Sequence, residues 1–382
     1  MVGSVMEPTH STITCPHGRE CGACTLLGVD YSNQLTQKRG VLKKAIGKLD
    51  SLRDVSTLPC LPSPLIDRYR NRAKMAVGMS QRGGNRLGYF RSQTREIVDA
   101  PDCRVLVPEL LETTRRIRKF LAIARGVPRS LRHIDVRCGT DPGRQHLTLV
   151  FRTKELPNFP LDGLRKQCPS IDGISVNLNP SKGPQVIRGS VKPLWGEREI
   201  WVDHADLRLR VSPAAFFQVN LALLPEIHRL METFFGGGKM LADLYSGVGT
   251  HGLALRKGFE EVFFAEGNRS AIADLKATMR ARKLGDYRVS AVSVERGLAK
   301  LKDAAPDAVV LNPSRAGAEE SVLETIARCP TKKIAYLSCD PDTLCRDLEI
   351  LRRKKFTIQS VQPIDMMPQT RQVEALALLT RA

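Results

Sequence analysis

A chain of 382 residues exceeds the usual size of one domain, and its 42% hydrophobic and 26% charged residues exclude disorder throughout. No uninterrupted apolar run approaches the roughly 20 residues of a membrane-spanning helix, so no membrane partner is expected. Lys and Arg number 59 against 40 Asp and Glu, a formal charge of +19 that suits a polyanionic partner, and most of the surplus lies in residues 1–200, with 33 basic and 18 acidic side chains.

Changes of pattern divide the chain into three parts. Residues 1–58 begin with Met1 to His10, which has neither the basic start nor the apolar core of a secretory signal. The expected compartment is therefore the cytoplasm, where the ten cysteines begin as thiols. This part is cysteine-rich to Cys24 and then reads as a helix from Asp30 to about Lys48, with Leu35, Val41, Leu42, Ala45 and Leu49 at helical spacing.

Residues 59–205 read as a smaller, basic, mixed α+β part. Apolar or alternating runs at Lys74–Met79, Arg86–Arg91, His146–Arg152, Gly173–Asn179 and Glu199–Val202 predict strands, Gln81–Asn85 and Asn179–Pro184 predict turns, and Pro108 to Ala124 predicts a helix. Arg68, Arg70, Arg72 and Lys74 follow one another closely, and arginine forks suit phosphates and base edges. A second basic run, Arg115 to Lys119, fits RNA contact and a solvated helix face equally well.

Residues 206–382 alternate strands with helices, the pattern of an α/β sheet covered on both faces. Strands are predicted near Met240–Leu244, Glu261–Ala265, Arg288–Ala291, Ala308–Leu311, Ile334–Ser338, Thr357–Pro363 and Val373–Thr380. The last two leave no room for a crossover and should pair antiparallel.

The first of these strands runs into Asp243-Leu244-Tyr245-Ser246-Gly247-Val248-Gly249-Thr250-His251-Gly252, a G-x-G-x-x-G between strand and helix. Glycines there let the backbone turn sharply and approach a nucleotide-like ligand, and Glu266, after the next strand, can accept ribose hydroxyls. By itself the loop fits a dinucleotide equally well. Cys339, in Tyr336-Leu337-Ser338-Cys339-Asp340-Pro341, follows an apolar strand at the sheet edge where such folds bind ligands, so its thiolate is a candidate nucleophile.

Three further segments complete an ordered set: Ala215-Phe216-Phe217-Gln218-Val219-Asn220, Leu311-Asn312-Pro313-Ser314-Arg315-Ala316-Gly317 and Asp365-Met366-Met367-Pro368-Gln369-Thr370-Arg371-Gln372-Val373-Glu374. Together with the two motifs above, they resemble the RNA uracil-5 methyltransferase family, whose members carry F-x-Q-x-N, D-L-F-C-G-x-G, [DN]-P-P-R-x-G, S-C-N-x-x-T and D-M-F-P-x-T-x-H-x-E in that order. The resemblance implies a class I S-adenosylmethionine-dependent methyltransferase fold, a Rossmann-like sheet of seven strands. It implies Cys339 as nucleophile and Glu374 as the base for the C5 proton. Gln218, Tyr245, Gly247, Gly249, Thr250, Glu266 and Asn312 would surround the cofactor or the uracil, with Phe216 and Arg315 toward the substrate. Asn312, Ser314, Asp340 and Gln372 depart from the family's commoner Asp, Pro, Asn and His.

Cys15-x5-Cys21-x2-Cys24 with distant Cys103 could supply four thiolates to zinc or to an iron–sulfur cluster, the three-plus-one arrangement fitting a cluster better. Ribosomal RNA members of the family resemble this pattern and hold a 4Fe-4S cluster, which points to 23S ribosomal RNA as the partner, with the tRNA T-loop as the alternative. An RNA-binding iron–sulfur protein without methyl transfer is the reading from another class. Only fourteen residues precede Cys15, too few for the small β-barrel many relatives carry, so RNA recognition is expected from Arg68, Arg70, Arg72, Lys74 and the pocket rim. No obligate protein partner is implied.

Overall fold

The computed structural model describes residues 11–381 except 80–83, 142, 184 and 286. Met1 to His10, most of the Gln81–Asn85 turn and the end of the Asn179–Pro184 turn thus lie outside the described residues. Helix α1 (Tyr31–Ile46) starts where the Asp30 carboxylate accepts the Ser32 amide, a side-chain N-cap.

A seven-stranded sheet comes next, made of β1 (Arg72–Met79), β2 (Asn85–Phe90), β3 (Ile97–Asp99), β4 (Leu131–Cys138), β5 (Gln145–Phe151), β6 (Ile171–Leu178) and β7 (Val191–Gly196) in the order β3-β2-β1-β4-β5-β6-β7. Only β5 and β6 are parallel, joined through the short α3 (Leu161–Gln167). Alternation sends Ala73, Met75, Ile134, Val136, Leu147 and Leu149 into a core shared with α2 (Pro108–Ile123). The opposite face carries Arg72, Lys74, Asp135, Arg137 and His146, which the register sets side by side. Strand β4 was not expected from the sequence, because every second residue of it is charged or titratable; those residues face away from the core.

The hairpin of β8 (Ile200–His204) and β9 (Leu207–Val211) straddles position 205, yet both strands pack with α4 (Leu224–Phe235) against the second sheet. That sheet holds β10 (Gly238–Leu244), β11 (Phe259–Ala265), β12 (Arg288–Ser290), β13 (Ala308–Leu311), β14 (Lys333–Ser338), β15 (Thr357–Ile364) and β16 (Glu374–Thr380) in the order β12-β11-β10-β13-β14-β16-β15. All seven expected strands are present. The last, β16, lies antiparallel between β14 and β15, as the short connection requires. Helices α5 (Thr250–Leu255), α6 (Arg269–Ala281), α7 (Val294–Ala304), α8 (Glu320–Arg328) and α9 (Pro341–Arg353) fill the crossovers. This is the sheet anticipated for the class I methyltransferase fold.

Helix α1 and the residues after it complete this last sheet. Leu42, Ala45 and Ile46 of α1 share a core with Leu344, Leu348 and Leu351 of α9. Beyond α1 the chain runs along β15, with Leu58 N to Val361 O at 3.0 Å and Leu61 N to Pro363 O at 2.8 Å, and so covers the exposed sheet edge. Among the described residues no helix is long and apolar enough to cross a membrane.

Candidate active site

The carboxyl ends of the parallel strands converge on one edge of the second sheet. After β10 the chain turns through Tyr245, Gly247 and Gly249 at φ 59°, 57° and 85°, a left-handed path that glycine follows without strain. The glycines differ in purpose. A Cβ on Gly252 would lie 2.5 Å from the Phe264 ring, so that glycine serves packing, whereas a Cβ on Gly247 would meet nothing within 4 Å and so leaves an open approach. Glu266, after β11, accepts the Gly247 amide at 2.9 Å and the Asn268 amide at 2.6 Å. Buried Asp243 accepts Gly252 N at 2.7 Å, but among the described residues its Oδ1 has no hydrogen-bond partner, and burial lifts its carboxyl to about 7. Tyr245 hydrogen-bonds Glu295 at 3.3 Å, and Thr250 opens α5.

Cys339 follows β14 directly, and Glu374 opens β16. The register pairs Ser338 with Ala375, so Cys339 and Glu374 stand opposite each other at the same strand ends. Burial lifts the Glu374 carboxyl to about 7 against the pull of the Arg315 cation. Burial and then the Glu374 charge raise the Cys339 thiol, while the charge of Arg315 and a hydrogen bond from it act in the other direction. Arg315 thus bears on Cys339 and Glu374 together. It is held from two sides: its guanidinium donates to Gln372 Oε1 at 3.2 Å, and its carbonyl accepts Thr343 Oγ1 at 3.2 Å. Gln372 therefore helps to position this arginine. Asp340 caps α9 by accepting the Thr343 amide at 3.1 Å.

Phe216 is 61% exposed, whereas Gln218 is buried and its carbonyl accepts Asn71 Nδ2 at 3.2 Å. Asn312, after β13, contacts an array that the sequence did not reveal. Its amide lies 3.1 Å from His251 Nε2, His251 Nδ1 lies 3.0 Å from His228 Nε2, and the His228 ring meets His204 edge-on at 4.9 Å. His204 in turn donates to the Thr250 carbonyl at 2.7 Å. Burial depresses all three imidazoles, His251 to about 3, so they are neutral at physiological pH. The one clue in the sequence is His251 inside the glycine motif, since the other two arrive from β8 and α4.

The loop before Glu374 is bound by the N-terminal segment. Asp365 forms a buried ion pair with Lys38 and a hydrogen bond with Tyr31. Gln369 exchanges hydrogen bonds with Gln34 at 2.9 and 3.0 Å, its carbonyl accepts Leu26 N at 2.9 Å, and Arg371 N donates to Thr25 Oγ1 at 3.0 Å. Immediately before Thr25, Cys24 is raised to about 12 by burial and then by the neighbouring Cys103, Cys21 and Cys15. Cys24 thus lies within electrostatic reach of the other three thiols, although among the described residues no three His, Cys, Asp or Glu stand where they could hold a metal ion.

Of the four basic residues expected to meet RNA, Arg72 is redirected. Its guanidinium grips buried Asp135 of β4, with Nε to Oδ1 at 2.8 Å, so it is not free for phosphate. Arg70 donates to the Arg72 carbonyl at 3.0 Å, Arg68 sits at φ 49°, and Lys74 is half-buried.

Residues 195–382 match the family model of tRNA (Uracil-5-)-methyltransferase. A protein of Oceanobacillus iheyensis described as an RNA methyltransferase is 30% identical, the alignment covering 94% of this chain and 81% of that one. A Listeria innocua RNA methyltransferase is also 30% identical, over 98% and 85%. Among solved structures, the Pyrococcus abyssi tRNA (uracil-54, C5)-methyltransferase in complex with S-adenosyl-L-homocysteine superposes with a TM-score of 0.73 at 26% identity, over 94% of this chain and 86% of that one. With a sheet of the class I S-adenosylmethionine-dependent type and these relatives, the chain belongs to the tRNA/rRNA (uracil-5-)-methyltransferase family.

Proposed function

We propose that the protein methylates C5 of a uridine in RNA, with Cys339 as nucleophile and Glu374 as base. The observation that carries this reading is the pairing of Cys339 with Glu374 across β14 and β16, with Arg315 acting on both. Uracil C5 is a weak nucleophile. Addition of the Cys339 thiolate to C6 pushes the C5–C6 electron pair toward C5 and O4, forming an enolate. S-adenosylmethionine, when bound, supplies the methyl group to C5. Glu374 then takes the C5 proton, the freed pair restores the C5–C6 double bond, and the Cys339 thiolate leaves. Gln218, Tyr245, Gly247, Gly249, Thr250, Glu266 and Asn312 would hold the cofactor and the uracil edge; the open approach over Gly247 and the unpartnered Asp243 oxygen fit a polar ligand there. A stacked uracil cannot reach these groups, so the target is a flipped or single-stranded base.

The proposed target is 23S ribosomal RNA, and the proposed compartment is the cytoplasm. Support comes from the spacing of Cys15, Cys21, Cys24 and Cys103 and from their mutual proximity, which suits a 4Fe-4S cluster with a structural role. Iron and acid-labile sulfide in anaerobically purified protein, lost in the Cys24→Ser variant, would test the cluster. The second reading, transfer RNA, is favoured by the likeness to the Pyrococcus abyssi enzyme.

The deciding experiment offers 23S and transfer RNA transcripts tritiated at uracil C5, with S-adenosylmethionine, and follows tritium released into water. Release from one RNA identifies the target. Cys339→Ala should abolish release and adduct alike, whereas Glu374→Gln should accumulate a methylated covalent complex visible on a denaturing gel. Absence of that complex would refute the role given to Glu374.

A further inference from the structure

The polar face of the first sheet contains a cation without a structural purpose. Register puts Arg72 beside Arg137 and Lys74 beside Asp135, three cations around one carboxylate. Arg72 takes Asp135. Arg137 is buried and donates to the carbonyls of Ala215 at 2.7 Å and Pro213 at 2.8 Å, which fastens the strand end to the segment leading into Phe216. It lies 3.9 Å from Asp135, beyond hydrogen-bonding reach. Lys74 is left over. Among the described residues it makes no hydrogen bond or ion pair; burial and then the Arg72 charge lower its ammonium to about 8 against the pull of Asp135, whose oxygens Arg72 holds. A half-buried ammonium that makes no ion pair is costly, and Gln or Met would fill the position at less expense of stability.

Lys74 lines a cavity of about 380 Å³ whose walls also include Arg72, Arg137, Val186, Ile187 and Phe216. That volume falls within the range of small-ligand sites. Its charge is positive, and its lining contains no carboxylate. Phe216, largely exposed, lies two residues before buried Gln218. A free anion would leave the aromatic wall unexplained; a nucleic-acid strand uses both a cation for its phosphate and a ring face beside it.

We propose that this cavity is a subsite for one backbone phosphate of the RNA strand adjoining the target uridine, with Lys74 as the residue that binds it. The inference rests on the uridine-methylation reading above and deepens it by assigning where the strand enters. Binding here would place the flanking nucleotide against Phe216 and aim the next base toward Cys339. Arg72 and Arg137 shape the charge of the cavity without spending it on the ligand, since their hydrogen bonds already go to Asp135 and to the 213–215 carbonyls.

The test uses the full chain and a short RNA containing the target uridine, tritiated at C5, in which each phosphate flanking the target is replaced in turn by a neutral methylphosphonate. Wild type should lose about tenfold in affinity at one linkage. In Lys74→Met that same neutral linkage should cost nothing further, a non-additive cycle, while Lys74→Arg should restore the sensitivity. Because Lys74→Met removes an unpaired charge, its melting temperature should equal or exceed that of wild type, separating loss of binding from loss of fold. Equal sensitivity at every linkage, or additive effects of Lys74→Met and the neutral linkage, would overturn the subsite. Tritium release by wild type reports the parent reading separately: release without a sensitive linkage keeps the reaction and sinks the subsite, whereas a sensitive linkage without release does the reverse. Neither result would reject both.

Discussion

In the role proposed for it, Glu374 acts as a base from a buried position, and that sets a pH signature. Its folded pKa of about 7 lies above the ordinary 4.5, so the carboxyl is protonated and inactive as a base below neutrality. Proton release should therefore rise with pH through about 7, and the raised Cys339 thiol extends the rise to higher pH. The stability signature has the opposite sense. A carboxyl that holds its proton more tightly when folded stabilises fully below its unfolded pKa, and this contribution is lost as pH rises through about 7. Glu374→Gln should thus stabilise the protein at pH 8 by up to roughly 3 kcal/mol and change little near pH 4.5, as read from urea unfolding at both values. Cys339 and Glu374, the pair proposed to make and break bonds, can be picked out in the sequence because they sit in ordered local motifs. The tie of Arg72 to Asp135 is invisible there because the two lie 63 residues apart, and so is the histidine array, because three elements contribute one ring each.

At the scale of elements, α1 acts as a brace for the catalytic loop. Lys38 and Asp365, 1% and 0% exposed, form the central tie, and Lys38 also donates to the Met367 carbonyl at 3.0 Å. Removing only one member of a buried pair leaves its partner uncompensated, at a cost of about 3–5 kcal/mol. Lys38→Met should therefore destabilise the protein at pH 8 and slow proton release by loosening the approach to Glu374. Burial raises the Asp365 carboxyl, so protonation should soften the loss at pH 5.5. The double variant Lys38→Met/Asp365→Leu should recover most of the stability, and failure to do so would show that the tie is not local. Helical spacing discloses α1 itself, with bounds within a residue or two, but nothing in its composition announces that its apolar side belongs against α9 and β15, roughly 300 residues downstream. Strand β4 stayed hidden for a related reason: its charged residues face the polar side of the sheet, and a run scored by hydrophobicity alone misses it.

For the whole molecule, charge and topology point in one direction. Residues 1–200 carry most of the positive surplus, and the cysteines, α1 and the first sheet all border the catalytic edge through named hydrogen bonds. RNA affinity should fall on the order of tenfold or more between about 50 and 200 mM salt even if two or three phosphates are contacted, and a flat response would refute an electrostatic interface. The path of the chain has a further consequence. Strand β16, which opens with Glu374, is interior to its sheet and follows both of its neighbours, β14 and β15, in the chain. Helix α1, whose residues seat the loop before it, precedes all of them. During synthesis α1 must therefore wait, with its apolar side uncovered, until α9 and β16 have been made, and the basic first sheet can form earlier. Translation that stops before residue 374 would yield a polypeptide able to attract RNA yet lacking the base, a product whose removal falls to cellular quality control.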